Sequence, residues 1–183
     1  VHQDYKFFKL LKATTKETIY NTLDEVEAIY YYDYSNFEHL RNTANAYIIG
    51  CFTSLRVSDF LKVARNPNEY IFNHNGIEVI KVNASQKTKT KTVIPLHPII
   101  KDMLSKYNIV DTTNKTLNEN LKVIGQLIGM DQDFTRLEWK GGIERDVTYK
   151  RWQLLSTHCA RRSFVSIMWG MGVPARTIMH FTG

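Results

Sequence analysis

The chain has 183 residues, of which 43% are apolar, 12% aromatic and 23% charged. This composition is typical of a folded globular protein, and 9 glycines with 4 prolines are too few for a fibre or a flexible linker. Lysine and arginine outnumber aspartate and glutamate by 24 to 18, so the net charge of +6 favours a polyanionic partner.

Several classes of protein are disfavoured by the distribution of particular residues. Cys51 and Cys159 belong to no CxxC pair, and the six histidines show no HxxxH or HExxH spacing, so we expect no disulfide framework and no metal site. No apolar run approaches the roughly 20 residues that span a bilayer, and the amino end lacks the apolar core of a signal peptide. We therefore expect a soluble protein that is not exported.

The first part of the chain is predicted to be mainly helical. Residues 1–15 lack a clean period and are interpreted as a connection from an upstream module. Thr22 and Glu25 have the spacing of a capping box, which predicts the start of a helix. Apolar residues at spacings of three and four predict further helices over 38–51 and 57–63.

The apolar period then changes, which predicts strands. Alternation over 77–82 and an apolar run over 93–96 predict two antiparallel strands joined by a basic tip at 86–92. The remaining predicted elements are a helix over 98–107, a helix from a second capping box at Thr116 to Gly129, a hairpin over 134–149 folded about Gly141-Gly142, a helix over 157–171 and a last helix from Pro174. Together they predict an α+β fold that is mostly α, with a small antiparallel sheet.

His158 and Arg161 are the first candidate functional pair. They lie three residues apart at the start of a predicted helix, so their side chains share one face near the positive end of the helix dipole. That arrangement suits a bound phosphate. The alternative is a solvated basic surface.

Arg56 is the second candidate, because apolar residues flank it on both sides. An arginine in such a setting needs a partner, and Asp59 could hold its guanidinium in place for a bound anion. The alternative is a purely structural ion pair between Arg56 and Asp59.

Three lysines form the third candidate group. Lys87, Lys89 and Lys91 recur at every second residue, so they share one face of a strand or its turn and repel one another unless an anion lies against them. A DNA backbone would supply that negative charge. The alternative is a lysine-rich edge that prevents strands from pairing between molecules.

Three segments in the same order and at similar spacing resemble the tyrosine recombinase (phage integrase) family. They are Thr53-Ser54-Leu55-Arg56-Val57-Ser58-Asp59, the lysine hairpin ending Val93-Ile94-Pro95-Leu96, and Thr157-His158-Cys159-Ala160-Arg161-Arg162-Ser163-Phe164. The resemblance covers roughly residues 15–183 and is closest in character to integrases of bacterial mobile elements. It implies a tyrosine-recombinase catalytic domain over 16–183 that stops before the nucleophile segment, with 1–15 as the linker from an N-terminal core-binding domain.

The resemblance also implies roles for individual residues. Arg56 and Arg161 would hold the non-bridging oxygens of the scissile phosphate, and Asp59 would support Arg56. Lys87 would protonate the departing 5′ oxygen, and His158 would assist proton transfer or position the phosphate. The residues predicted to contact DNA outside this group are Lys89, Lys91 and Arg162.

The function implied by the resemblance is site-specific DNA recombination, either integration or excision, through a 3′-phosphotyrosyl intermediate. None of the ten tyrosines follows Arg161, so no nucleophile is assigned within this sequence. The partners implied are double-stranded DNA, three further copies in a homotetramer of the full-length protein, and accessory DNA-bending proteins. No cofactor or metal is implied, and the expected location is the bacterial cytoplasm, at the nucleoid.

Two alternatives belong to other functional classes. A non-catalytic DNA-binding module or accessory protein could keep the phosphate pocket without the chemistry. A cysteine hydrolase would pair Cys51 or Cys159 with His158, but adjacent residues on a helix diverge by about 100°, so His158 and Cys159 do not form a nucleophile and base.

Overall fold

A computed structural model describes residues 17–83, 91–141 and 143–182 of the chain. The predicted linker at 1–15 and the predicted site residues Lys87 and Lys89 lie outside these residues. Lys91 begins a strand, but its side chain is also outside the described part. The roles assigned to these lysines therefore stay predictions.

The described residues form helices interrupted by two small antiparallel sheets. The first half contains, in order, α1 (Leu23–Tyr31), α2 (Glu38–Thr53), α3 (Val57–Arg65), α4 (Pro67–Tyr70), β1 (Ile71–His74), β2 (Ile77–Asn83) and β3 (Lys91–Pro95). The second half contains α5 (Pro98–Lys106), α6 (Asn114–Leu127), β4 (Asp133–Lys140), β5 (Ile143–Lys150), α7 (Arg151–Leu154), α8 (Thr157–Gly170) and α9 (Ala175–Thr182). The predicted α+β fold, mostly α, is confirmed.

One of the two predicted capping boxes is present and the other is not. Thr22 Oγ1 accepts a hydrogen bond from the Glu25 backbone N–H at 3.3 Å, and a Glu25 carboxylate oxygen accepts from the Thr22 N–H at 3.0 Å. The start predicted at Thr116 is wrong, because α6 begins three residues earlier. Thr113 is its N-cap and accepts from the Thr116 N–H at 3.1 Å, so Thr116 lies inside the first turn.

The sheets agree with the predicted strand pairs and add one strand. β2 pairs with β3 in antiparallel register, with Ile80 opposite Ile94, and both side chains are buried. β1 forms the other edge of this sheet and was not predicted, because its residues after Ile71 are exposed and show no apolar alternation. β4 and β5 pair over their whole length around Gly141, whose φ of +63° is the left-handed conformation that glycine allows.

α2 lies at the centre of the core. Every one of its residues from 43 to 51 is buried, so this helix has no solvent face over more than two turns. Helices α1, α3, α5, α6 and α8 pack around it. Within the described residues, none of the helices is both long enough and apolar enough to cross a membrane.

Candidate functional site

The start of α8 carries His158 and Arg161, and buried hydrogen bonds fix the position of this helix. Ser163 donates its hydroxyl hydrogen to the Cys159 carbonyl at 2.8 Å and accepts the Asn21 backbone N–H at 2.7 Å. Ser163 and Asn21 are both fully buried, so these bonds are shielded from water and costly to break. The helix is thereby held against the segment that precedes α1.

α8 crosses α2 at very short range. A methyl group in place of the Gly50 hydrogen would lie 3.0 Å from Ala160 Cβ and 3.0 Å from Phe60 Cδ1, closer than carbon atoms normally pack. Glycine at position 50 and alanine at position 160 therefore let the two helix backbones approach. This crossing brings the end of α2 close to the first turns of α8.

Ser54 forms the corner between α2 and α3. Its φ of +59° and ψ of 9° are left-handed, a conformation that a non-glycine residue adopts at a cost of about 1 kcal/mol. The residue is fully buried, and its hydroxyl has no hydrogen-bond partner. Its carbonyl oxygen accepts a hydrogen bond from Arg161 Nη1 at 3.1 Å, which ties the corner to α8.

The Arg161 guanidinium is held by carbonyl oxygens and not by a carboxylate. Besides Ser54, its second bond runs from Nη2 to the Thr182 carbonyl at the end of α9. Among the described residues Arg161 forms no ion pair. The two carbonyl groups orient its guanidinium, but no carboxylate there neutralises the positive charge. Partial burial, and in second place the positive charge of Arg56, lower the pKa of Arg161 below its ordinary value.

Arg56 contributes to that pKa shift but does not line the cavity that contains Arg161. It is the N-cap residue of α3, two positions after Ser54, and its side chain is exposed. An anion bound near both guanidinium groups would be stabilised by their positive charges.

His158, Arg161 and Arg162 line one open cavity of about 440 Å³. His158 is exposed in the first turn of α8, and both arginines are partly buried. The other lining residues are Thr18, Tyr20, Val165 and Ser166. No motif in the segment that carries Thr18 and Tyr20 indicates that it lies beside α8.

Asp59 is buried, and Lys62 is one partner of its carboxylate. Lys62 Nζ lies 3.4 Å from Asp59 Oδ1, one helical turn further along α3. The support of Arg56 by Asp59 stays a prediction.

In the described part of the chain, the cysteines and the acidic residues form neither a second catalytic site nor a metal-binding site. Cys51 and Cys159 are both buried free thiols, and burial raises the pKa of Cys51 well above its ordinary value, which makes it a poor nucleophile. No group of three or more histidine, cysteine, aspartate or glutamate side chains in the described ranges could hold a metal ion.

Comparison with known proteins gives one informative result. No family model matches the sequence, and no curated protein matches it. A solved structure similar in fold is the XerH site-specific recombinase bound to palindromic difH substrate, in a post-cleavage complex. The TM-score is 0.61 at 15% sequence identity.

The chain shares its fold with part of this site-specific recombinase. The match covers 96% of this chain and 48% of XerH, so the chain spans about half the length of that protein. This result confirms the fold class that the sequence motifs predicted. At 15% identity it extends to the fold alone, and the roles of individual residues rest on the local geometry.

Proposed function

We propose that this chain is the catalytic domain of a tyrosine-type site-specific recombinase, which breaks and rejoins double-stranded DNA through a 3′-phosphotyrosyl intermediate. The chain would supply the side chains that bind and activate the scissile phosphate. The likeness in fold to a recombinase bound to its DNA substrate supports this proposal.

The observation that carries the proposal is the state of Arg161. Its guanidinium is partly buried, is oriented by the carbonyl of Ser54, forms no ion pair among the described residues, and lines one cavity together with His158 and Arg162. Several basic side chains around one cavity, one of them oriented by a backbone carbonyl, are typical of a site that binds an anion.

The proposed chemistry needs positive charge around one phosphorus atom. The phenolate of a tyrosine attacks the phosphorus, the bond to the 5′ oxygen breaks, and the extra negative charge in the transition state falls on the non-bridging oxygens. Arg56 and Arg161 would hold those oxygens with charge-assisted hydrogen bonds, which provides electrostatic stabilisation without a metal. His158, at the mouth of the same cavity, would position the phosphate or move a proton.

Two further participants complete the proposed reaction. Lys87 would donate a proton to the leaving 5′ oxygen, and the tyrosine nucleophile would come from outside residues 1–183. In the second half of the reaction a 5′ hydroxyl attacks the phosphotyrosyl bond, releases the tyrosine and restores the phosphodiester. The energy of the broken bond is kept in the intermediate, so the proposed reaction uses no nucleotide cofactor.

The proposed partner is duplex DNA, and the full-length protein would act as a homotetramer, with accessory DNA-bending proteins, at the nucleoid in a bacterial cytoplasm. Lys89, Lys91 and Arg162 would bind DNA phosphates outside the reacting centre. Replacing any one of them with alanine should reduce the slope of log affinity against log salt concentration by about one, because one fewer phosphate is then neutralised.

The test is covalent trapping on a nicked duplex that carries the recombination site, using the full-length protein. The wild-type protein should form a protein–DNA adduct. Arg56→Ala and Arg161→Ala should each reduce the rate of adduct formation by about 100-fold or more. Both variants should retain most of their affinity for non-specific DNA.

Arg65→Ala is the matched control, because Arg65 pairs with Asp111 on the surface and lines no part of the candidate cavity. It should trap DNA at the wild-type rate. Undiminished trapping by Arg56→Ala or Arg161→Ala would refute the assigned roles. A wild-type protein that binds DNA tightly but forms no adduct would favour the alternative, a non-catalytic DNA-binding module of the same fold.

A further inference from the structure

A second open cavity, of about 530 Å³, lies at the other end of α2 from the candidate functional site. Arg41, near the start of α2, lines it, and Ser54 caps the same helix about 20 Å away at 1.5 Å per helical residue. The volume is within the range of about 300–1,000 Å³ that is typical of ligand pockets. We call this space the tyrosine cavity, because Tyr30, Tyr31 and Tyr107 line it.

Backbone carbonyl groups orient Arg41 in the wall of the tyrosine cavity. Its Nη1 and Nη2 donate hydrogen bonds of 2.9 Å to the carbonyl oxygens of Tyr30 and Tyr32 at the end of α1. Its guanidinium also lies 4.4 Å from the ring centre of Tyr34 and 5.3 Å from that of Tyr107. Among the described residues Arg41 forms no ion pair, so its charge is held in place without a carboxylate partner.

Asp102 is the acidic residue that lines the tyrosine cavity, and two donors already bind its carboxylate. Its Oδ2 accepts hydrogen bonds from the Tyr30 hydroxyl at 2.9 Å and from Lys106 Nζ at 2.8 Å. Burial, together with this bond to Asp102, raises the pKa of Tyr30 to about 12, so the phenol keeps its proton and remains a donor. Two cationic side chains, Arg41 and Lys106, and one carboxylate leave the wall with an excess of positive charge.

Two of the tyrosines give the cavity accessible aromatic surface. Tyr31 is 71% exposed and Tyr107 is 38% exposed, and they come from different elements, at the end of α1 and directly after α5. Every nucleobase can stack on such rings, because every base has a π face. Exposed rings beside an excess of positive charge can therefore bind both parts of a nucleotide, the base and the phosphate.

We propose that the tyrosine cavity binds one unpaired nucleotide, with its base against Tyr31 and Tyr107 and its phosphate against Arg41 and Lys106. The nucleotide is either free in solution or part of a single strand, because both sources offer an unstacked base and a phosphate. The bases of a duplex are already stacked on their neighbours and would have to be extruded first. The inference goes beyond the proposed recombination and does not rest on it.

The test is calorimetric titration of the full-length protein with adenosine 5′-monophosphate (AMP), adenosine and inorganic phosphate. AMP should bind with a dissociation constant of about 1 mM or lower. Adenosine and phosphate should each bind at least about 10-fold more weakly, because each lacks one of the two parts that the cavity recognises. Absence of AMP binding, or equal affinity for AMP and phosphate, would overturn the inference.

Two aromatic variants test whether the base stacks in the tyrosine cavity. Tyr31→Ala should weaken AMP binding by about 10-fold, because it removes an exposed ring from the cavity. Trp139→Ala is the matched control, because Trp139 is 58% exposed on β4 and lines no part of the cavity. Equal effects of the two substitutions would contradict stacking at Tyr31.

Two lysine variants test where the phosphate lies. Lys106→Gln removes a cation and leaves the Asp102 carboxylate without its ion-pair partner, so AMP binding should weaken by about 10-fold. Lys115→Gln is the matched control, because Lys115 forms a similar pair with Glu119 one helical turn away and lies outside the cavity. AMP affinity that Lys106→Gln leaves unchanged would refute the assigned phosphate position.

A single strand of ten deoxyadenosines distinguishes the two sources of the nucleotide. Displacement of AMP by this strand would identify a single strand as the ligand, and failure to displace AMP would identify the free nucleotide. AMP could also bind at the candidate functional site through its phosphate. Loss of AMP binding in Arg161→Ala, together with wild-type binding by Tyr31→Ala, would place the nucleotide there and overturn the inference.

Failure of the proposed function would look different. Tyr31→Ala should form the covalent DNA adduct at the wild-type rate, because Tyr31 does not line the cavity that contains Arg161. Normal adduct formation without AMP binding would remove only the inference about the tyrosine cavity. AMP binding without adduct formation would remove only the proposed function.

Discussion

Two regions of this domain differ most in how closely their side chains pack: the crossing of α2 and α8, and the β4–β5 hairpin. At the crossing, Gly50 and Ala160 let two helices approach until a single added methyl group would collide. In the hairpin, large apolar side chains such as Trp139 are exposed to solvent. The first region determines where the arginines lie, and the second offers a surface that folding leaves uncovered.

This difference indicates where the sequence is constrained by folding and where it is constrained by binding. Substitutions at the crossing should change both the stability of the domain and the position of the candidate site, because Ser54, which binds Arg161, directly follows α2 in the sequence. Substitutions at the end of the hairpin change what the surface can bind and leave the core intact. Three experiments measure this contrast.

The largest effect is expected from Gly50→Ala. The new methyl group would overlap Ala160 and Phe60, and overpacking of this kind costs about 1–3 kcal/mol of the free energy of unfolding. Gly170→Ala is the matched control, since the added Cβ meets nothing within 4 Å and the change should stabilise α8 by up to about 1 kcal/mol. Chemical denaturation of both variants measures the difference, and equal effects would contradict the close crossing.

A smaller effect of opposite sign is expected from Ser54→Gly. Glycine adopts the left-handed conformation without strain, and the substitution also removes a buried hydroxyl that lacks a partner. The free energy of unfolding should rise by about 1 kcal/mol. Ser54→Ala separates the two causes, because it removes the hydroxyl but keeps the strain; a greater gain from alanine than from glycine would refute the strain argument.

The smallest effect on stability is expected from shortening the hairpin. Replacing residues 137–146 with Asn-Gly joins Arg136 to Val147, which are already paired, through a two-residue turn. The free energy of unfolding should change by no more than about 0.5 kcal/mol, because the removed residues are largely exposed. A drop of several kcal/mol would show that the hairpin end belongs to the core.

Much of the fold was predictable because short-range rules determine it. The capping box at Thr22 and the alternation in β2 each follow from local chemistry, and both are present in the structure. The start of α6 was misplaced because Thr113 and Thr116 both have the side chain of an N-cap, and the choice between them depends on the packing of the whole helix.

The candidate site was only partly predictable, for a related reason. Motif spacing and the family resemblance identified Arg56, His158 and Arg161, and the structure places the last two in one cavity. The break between α2 and α3 was predicted, but the left-handed backbone of Ser54 was not. The glycine near the end of α2 is Gly50, which is required by the helix crossing and not by a turn. Tyr20 reaches the cavity through long-range packing, which leaves no local pattern in the sequence.

The burial of α2 from residue 43 to residue 51 has a consequence for how the domain moves. Peptide groups covered on every side exchange their amide hydrogens with solvent only when the whole domain opens. Ser54 and Arg56 come directly after this protected helix in the sequence. Local opening that frays the hairpin therefore leaves the backbone positions of Ser54 and Arg56 unchanged.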